Sequence, residues 1–95
     1  MGINPNRNEK AVLGVLAEHF RSHGELLAFL SFNSIMGYAR LDRRTVRKAC
    51  RRLKRYGLTM YEKGLCDDVG DFRGAGYAIT QAGLDYCDSI KKERP

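Results

Sequence analysis

The sequence contains few cysteines and no long hydrophobic run, and each shortage excludes a class of protein. Its three cysteines, Cys50, Cys66 and Cys87, are widely spaced, and no two of them form a C-x-x-C pair. This pattern argues against a disulfide framework and against a common zinc site. The longest apolar run, residues 26–30, is far shorter than the roughly 20 residues of a transmembrane helix. With no secretion signal at the amino terminus, we expect a cytoplasmic protein without a membrane partner.

Constellations of catalytic and metal-binding residues are also missing. No Ser-His-Asp set, phosphate-binding glycine loop or paired general acid and base stands out, so we predict that the protein is not an enzyme. His19 and His23 lie four residues apart but lack the H-E-x-x-H pattern and an obvious third ligand. Asp67, Asp68 and Asp71 do not match a calcium loop and fit a solvated turn better. We therefore expect neither a metal nor a cofactor.

Positive charge is what the chain has in excess. Its 95 residues include 17 Lys and Arg against 11 Asp and Glu, a net charge of +6. Nine of these bases and one acid fall between Arg40 and Arg55, so that stretch carries +8 and the rest of the chain −2. A chain of this length buries only about 60 to 68% of its unfolded surface, which suits a small binding module better than an enzyme with a catalytic cavity. The charge indicates an acidic partner.

Hydrophobic periodicity predicts one domain over residues 1–95, with four helices and a hairpin. The third helix has apolar residues at the i, i+3, i+4, i+7 spacing of a buried face: Val46, Ala49, Cys50 and Leu53. Residues 25–30 could be a short strand or a buried link, because the segment is too short and too apolar to classify. The predicted ranges are helices over 8–22, 31–39, 42–56 and 80–92, and a hairpin over 58–79.

Residues typical of helix ends mark the boundaries of these elements. Ser31, Asp42 and Thr80 are N-cap candidates for the last three helices, and Gly57 can end the third. Two helices separated by a turn of three or four residues form a helix-turn-helix pattern. This pattern places the basic stretch on its second helix.

The third helix is predicted to have one apolar face and one cationic face. At 100° per residue, its other apolar residues fall within about 60° of Val46. Six basic residues lie on or beside the opposite side: Arg44, Arg47, Lys48, Arg51, Arg52 and Arg55. Like charges four residues apart cost roughly 0.2 to 0.5 kcal/mol per pair, and solvated faces ordinarily mix charges. We therefore favour a surface that meets a polyanion over a merely solvated face.

Cys50 lies on the apolar face of this helix. A buried thiol behaves as a small hydrophobic group, which is the interpretation that we favour. Neighbouring arginines could lower its pKa and give it a redox role, but burial would make it inert.

The segment 31–58, together with 77–83, resembles the winged helix-turn-helix domains of bacterial, archaeal and phage regulators. The matching features are an apolar pair in the second helix, an apolar-then-capping turn, the start of the recognition helix and a Y-x-I-T-x-x-G exit into the last helix. They lie at Ile35-Met36, Leu41-Asp42, Thr45-Val46 and 77–83. The resemblance implies a mainly α, α+β fold with a three-helix core, a hairpin called the wing and a C-terminal helix.

The resemblance also implies sequence-specific binding of double-stranded DNA, with the recognition helix in the major groove, as a transcriptional regulator. Arg44, Arg47 and Arg51 are the candidates for base reading, because the arginine fork pairs with guanine O6 and N7. The full set of expected DNA-contacting residues is Arg40, Arg43, Arg44, Thr45, Arg47, Lys48, Arg51, Arg52, Arg55 and Arg73. One recognition helix discriminates poorly, so we expect a homodimer on two half-sites.

The tip of the wing departs from this family pattern. It carries Asp67, Asp68 and Asp71, whose carboxylates would repel phosphates. Either Arg73 and Lys63 alone face DNA, or the wing points to another partner. The alternative hypothesis is therefore a winged-helix module whose cationic face binds an acidic protein or an RNA-containing complex.

Overall fold

In the part of the chain that the structure describes, four helices and a three-stranded antiparallel sheet make up the fold. The computed structural model describes residues 4–24, 29–66 and 72–93. Along this part of the chain the helices and strands are α1 (Arg7–His23), β1 (Leu30–Ser31), α2 (Phe32–Ala39), α3 (Arg43–Arg55), β2 (Thr59–Cys66), β3 (Phe72–Ile79) and α4 (Gln81–Glu93). This is the α+β, winged helix-turn-helix architecture that the resemblance implied. Each helix begins and ends within one residue of the range expected from the sequence.

Polar side chains cap the starts of the helices. The Asn6 side chain accepts a hydrogen bond from the Glu9 backbone N–H at 2.8 Å, and the Glu9 carboxylate accepts the Asn6 N–H at 3.0 Å. This reciprocal capping box begins α1 one residue earlier than the periodicity indicated. Ser31 caps α2 and Asp42 caps α3, in each case by accepting the N–H three residues ahead. The two helices of the helix-turn-helix are therefore fixed by local chemistry at their first turns.

The turn between α2 and α3 contains a left-handed residue. Arg40 has φ 57° and ψ 46°, a conformation that residues other than glycine adopt infrequently. Its backbone N–H donates to the Met36 carbonyl and so ends α2. Asp42 follows two residues later and begins α3. The short turn leaves α3 packed against both α1 and α2.

The sheet has a third strand besides the two of the hairpin. Its order is β1-β3-β2, with Leu30 opposite Tyr77 and Thr59 opposite Ile79. The sequence did not decide whether residues 25–30 form a short strand or a buried link. In the structure the end of that segment, Leu30, belongs to a strand that pairs with β3. Residues 25–28 lie outside the described part of the chain. Because β3 is central, it connects the hairpin to the helical core.

The core forms where α1, α2, α3 and the sheet meet. The four apolar residues of α3, Val46, Ala49, Cys50 and Leu53, are at most 3% exposed. They join buried residues of the other elements, among them Leu13, Leu16, Ile35, Leu58 and Ile79. Full burial of such a side chain contributes roughly 1.5 to 3 kcal/mol, so rotating α3 about its axis would be strongly unfavourable. In the described residues, no helix combines the length and hydrophobicity of a membrane span.

Thr80 and Gly83 join the last strand to α4. The Thr80 hydroxyl donates to the Gly57 carbonyl at 2.7 Å and accepts the Gly83 N–H at 3.1 Å. A β-carbon on Gly83 would collide with the Leu58 carbonyl oxygen and would lie 2.6 Å from Ile79 Cγ1. The glycine of the Y-x-I-T-x-x-G segment is therefore required by the close approach of α4 to the end of the hairpin.

We expect Gly83→Ala to lower the free energy of unfolding by about 1 to 3 kcal/mol, because the added methyl group meets backbone that cannot move aside easily. Gly14→Ala is the matched control, since a β-carbon there meets no heavy atom within 4 Å apart from the nearby backbone of its own helix and its chain neighbours. Alanine in the α1 interior should raise stability by about 0.5 to 1 kcal/mol. Urea denaturation followed by circular dichroism measures both. Equal effects of the two substitutions would contradict the packing described here.

Candidate nucleic-acid interface

The outward side of α3 gathers eight of the chain's 17 Lys and Arg residues into one surface. Arg43, Arg44, Arg47, Lys48, Arg51, Arg52, Lys54 and Arg55 are all exposed, and Thr45 is half-buried. We call this set, without Thr45, the cationic face. Six of its members border a single shallow depression of about 380 Å³, namely Arg44, Arg47, Lys48, Arg51, Arg52 and Arg55. The structure thus brings together the α3 residues that the sequence assigned to DNA.

The N-terminus of α3 holds a carboxylate in its charged form. Asp42 accepts hydrogen bonds from the Thr45 side chain and the Thr45 backbone N–H, and these bonds lower the pKa of Asp42. The positive charge of Arg44 lowers this pKa further. The charged carboxylate stabilises the positive end of the helix dipole. Asp42 therefore fixes the first turn, on which Arg43 and Arg44 are carried.

Arg52 makes both an ion pair and a hydrogen bond within the protein. Its Nε lies 3.2 Å from Glu9 Oε2, and its Nη2 donates to the Tyr56 hydroxyl at 3.2 Å. The hydrogen bond to Tyr56, followed by the Tyr56 and Glu9 charges, raises the pKa of Arg52. Glu9 is only 2% exposed, and its carboxylate is shared between Asn6 in the capping box of α1 and Arg52 of α3. Arg52 fastens the cationic face to the start of α1 while half of its side chain remains exposed.

The remaining two expected contact residues lie off the helix. Arg40 is exposed in the turn before α3. The side chain of Arg73 lies outside the described residues, as do Asp67, Asp68 and Asp71 of the wing tip. On the other arm of the hairpin, Lys63 is exposed. The expectation for the wing contacts thus stays a prediction.

A groove runs between α3, the start of α2 and the sheet, with a volume of about 520 Å³. Three rings form its aromatic part: Phe32, Tyr61 and Tyr77. Four basic residues of α3 border it: Arg47, Arg51, Lys54 and Arg55. We call this the aromatic groove. It shares three of its four cations with the depression on the cationic face.

The rings of the aromatic groove contact one another in a defined geometry. The centroids of Phe32 and Tyr77 are 5.6 Å apart at 69°, and those of Tyr61 and Tyr77 are 5.0 Å apart at 52°. Lys54 Nζ lies 5.8 Å from the centroid of Tyr61. Burial raises the pKa of Tyr77, and the nearby charges of Arg47 and Arg51 oppose that shift. Tyr77 therefore remains a neutral phenol at the base of the groove.

Sequence reasoning missed the aromatic groove altogether. Lys54 was counted in the basic stretch but not as a site residue. Phe32 fell in the predicted helix 31–39, and Tyr61 and Tyr77 fell in the predicted hairpin 58–79, so no ring was linked to the basic helix. Tyr61 and Tyr77 are opposite each other in the β2–β3 register. Aromatic residues in both arms of a predicted hairpin are a signal of such cross-strand contact, provided that the register is known.

His19 and His23, which lack a zinc-binding pattern in the sequence, stack on each other on α1. Their ring centroids are 4.2 Å apart, and His23 Nδ1 lies 3.3 Å from the His19 carbonyl oxygen. Among the described residues there is no group of three or more His, Cys, Asp or Glu side chains placed to hold a metal.

Cys50 is fully buried beneath the cationic face. Burial raises the pKa of its thiol to about 12. The Thr59 hydroxyl donates to the Cys50 backbone carbonyl at 3.5 Å, which ties β2 to the underside of α3. The thiol belongs to the packing of the helix, and its reactive thiolate form is scarce near neutral pH.

Solved structures with the same fold include regulators of transcription. A MarR family regulator from Neisseria meningitidis is 25% identical over 92% of this chain and 53% of its own, with a TM-score of 0.63. MepR, a transcription regulator of the Staphylococcus aureus multidrug efflux pump MepA, is 19% identical over 94% of this chain and 57% of its own, with a TM-score of 0.71. The chain has the winged-helix fold of these regulators. It spans little more than half of their length.

A protein shorter than these regulators has the same fold and matches over nearly its whole length. A candidate DNA-binding protein from Ralstonia eutropha is 24% identical, over 94% of this chain and 98% of its own, with a TM-score of 0.69. MepR also matches in a structure of its DNA complex, with 21% identity over 92% of this chain and 62% of its own and a TM-score of 0.69. No protein-family model and no curated protein sequence matches the chain. These solved structures are described as regulators and a DNA-binding protein, not as enzymes.

The burial of Cys50 predicts its reactivity. In the folded protein at pH 8, iodoacetamide should modify Cys50 at least tenfold more slowly than in urea, because the thiol is inaccessible and its pKa is raised to about 12. Mass spectrometry of the peptide containing Cys50 measures the modification. Rapid alkylation of the native protein would mean that α3 does not pack as described.

Proposed function

We propose that this protein binds double-stranded DNA through α3 and acts as a transcriptional regulator by occupying its site. The observation that carries the proposal is the division of α3 into a buried apolar face and an exposed cationic face. A helix held in this way presents a row of positive side chains on a rigid support. The major groove of B-DNA is wide enough to admit one helix.

Different basic residues have different roles in this binding mode. Arg44, Arg47 and Arg51 read base edges, because a guanidinium can bind guanine O6 and N7 together. The other contacts position the protein on phosphates, which contributes affinity without sequence information. They are Arg40, Arg43, Thr45, Lys48, Arg52, Arg55 and, from the wing, Arg73. The ion pair with Glu9 limits the movement of Arg52, which favours a contact with the DNA phosphate backbone over a contact with a base.

The resemblance to solved regulators supports the same function. The MarR family regulator and MepR share the fold at TM-scores of 0.63 and 0.71, and one matching structure is a MepR–DNA complex. The Ralstonia protein, which matches over 98% of its own chain, is described as a candidate DNA-binding protein.

We further propose that the protein works as a homodimer. One helix contacts too few base pairs for a selective site, whereas two helices related by a two-fold axis read half-sites about 34 Å apart. The exposed sides of α1 and α4 are the proposed contact. Sedimentation equilibrium should give about twice the monomer mass of 10.8 kDa for the free protein, and the mass of two protomers plus the duplex on a palindromic site. A single protomer on each palindrome would contradict the dimer.

The central test compares Arg47→Gln with Lys48→Gln on a duplex selected from a random pool. We expect Arg47→Gln to cost about 1 to 3 kcal/mol on the selected sequence and little on random duplex, because it removes a base contact. Lys48→Gln should weaken binding to both duplexes about equally, because it removes a phosphate contact. Fluorescence anisotropy at several salt concentrations measures all four affinities.

Arg21→Gln is the control for loss of charge, because Arg21 is exposed, pairs with Asp88 of α4 at 3.4 Å and is not part of the cationic face. Since α1 and α4 are the proposed dimer contact, sedimentation equilibrium first checks that this variant has the same mass in solution as the wild type. Arg21→Gln should change every affinity by less than about twofold, as expected for an exposed ion pair. With roughly five phosphates neutralised per protomer, log K should fall against log salt with a slope of about −4 to −5, and Lys48→Gln should reduce the slope by about 1. No binding to random duplex at low salt would refute DNA binding and favour the acidic-protein or RNA-containing partner.

A further inference from the structure

The aromatic groove is a concave site that lies beside the DNA-reading residues and that DNA reading alone does not require. Its volume of about 520 Å³ lies within the roughly 300 to 1,000 Å³ typical of small-molecule sites. It combines two kinds of wall, aromatic rings on the sheet side and cations on the helix side. Such a combination suits a ligand with one flat apolar part and one anionic part.

The aromatic wall offers a surface for stacking. Tyr77 is 5% exposed and supports the other two rings from beneath. Phe32 and Tyr61 are only half-buried, so each keeps part of its surface open to the groove. Lys54 Nζ lies 5.8 Å from the centroid of Tyr61, so a cation can already approach this ring. Flat heteroaromatic rings such as nucleobases stack on aromatic side chains, and every base can do so because each has a π-face.

The cationic wall sets the charge of the ligand. Arg47, Arg51 and Arg55 recur every four residues, so they stand one above another along α3. With Lys54 they place four positive charges on the groove, and none of its described lining residues is an acid. A monocarboxylate would offset one of these charges. A phosphate monoester carries about −1.5 to −2 near pH 7 and has three oxygens that several arginines can share.

We infer that the aromatic groove binds a nucleotide, with the base against Phe32 and Tyr61 and the phosphate between Arg47, Arg51 and Arg55. The nucleotide is either free in solution or an unpaired residue of a nucleic-acid strand, since both present a base joined to a phosphate. Lys54 moves from the ring of Tyr61 to the phosphate as the base enters. The site lies at the edge of the cationic face and uses two of its proposed base readers.

A regulatory consequence rests on the proposed function. Arg47 and Arg51 cannot hold a phosphate in the groove and a guanine in the major groove at the same time. A bound nucleotide therefore competes with duplex DNA. Nucleotide binding itself does not depend on this consequence, because it is measured without DNA.

The direct test titrates the full chain with guanosine 5′-monophosphate by calorimetry at low salt. Guanosine, inorganic phosphate and benzoate are the comparison ligands, each of which lacks part of the proposed chemistry. A short single-stranded thymidine oligonucleotide tests the second source of a nucleotide. We expect the monophosphate or the oligonucleotide to bind at least tenfold more tightly than all three comparison ligands.

Two substitutions locate the binding in the groove. Tyr61→Leu removes a ring but keeps apolar volume, and we expect about a tenfold loss of affinity for the nucleotide. Arg51→Gln should cause a similar loss, whereas Lys48→Gln should change the affinity for guanosine 5′-monophosphate by less than about twofold. Lys48 carries the same charge on the same helix but does not line the groove. Circular dichroism checks that each variant is folded, and Arg51 and Lys48 are exposed residues whose replacement leaves the core intact.

Three results would overturn the inference. The first is that neither the monophosphate nor the oligonucleotide binds. The second is that benzoate or phosphate alone binds as tightly as the nucleotide. The third is that Lys48→Gln weakens nucleotide binding as much as Arg51→Gln, which would reduce the interaction to general attraction by the cationic face. Failure of duplex binding alone, with nucleotide binding intact, would refute the proposed function and leave the groove assignment standing.

Discussion

The rest of the structure depends on the burial of one side of α3. Val46, Ala49, Cys50 and Leu53 have almost no exposed surface, and turning the helix would bring their apolar area into water at a cost of several kcal/mol. The same constraint leaves every basic side chain of the helix on the outside. Repulsion among these side chains amounts to tenths of a kcal/mol per pair, so burial prevails over it. The cationic face is thus held in place by a core that contains none of its charges.

The hairpin and α1 complete the interface through contacts distant in the sequence. Thr59 binds the Cys50 carbonyl and brings β2 under α3, which sets Tyr61 beside the cations of the helix. From the opposite direction, Glu9 meets Arg52 at 3.2 Å. Glu9 also belongs to the capping box of α1, so one buried carboxylate serves a helix end and an ion pair. These contacts hold Arg52 against the start of α1, while Arg47, Arg51 and Arg55 border the aromatic groove.

The helices and the polarity of α3 could be predicted from the sequence because they are encoded locally. Apolar spacing located the buried face, and Ser31 and Asp42 were recognised as caps from their residue type and position. The pairing of Leu30 with Tyr77, the Glu9–Arg52 ion pair and the aromatic groove could not be predicted in this way. Each joins residues more than 10 positions apart, and neither periodicity nor capping carries information about such pairs. The wing contacts of Arg73 remain an expectation, since its side chain lies outside the described residues.

The most direct test of the account is to map, by NMR, which backbone amides respond to a short random duplex at low salt. We expect the largest shifts along the exposed side of α3 and in the turn at Arg40. Amides of the exposed side of α1 and of α4 should change little in the same titration. Shifts concentrated on α1 or α4, with α3 unaffected, would contradict the claim that the cationic face of α3 is the surface that meets DNA.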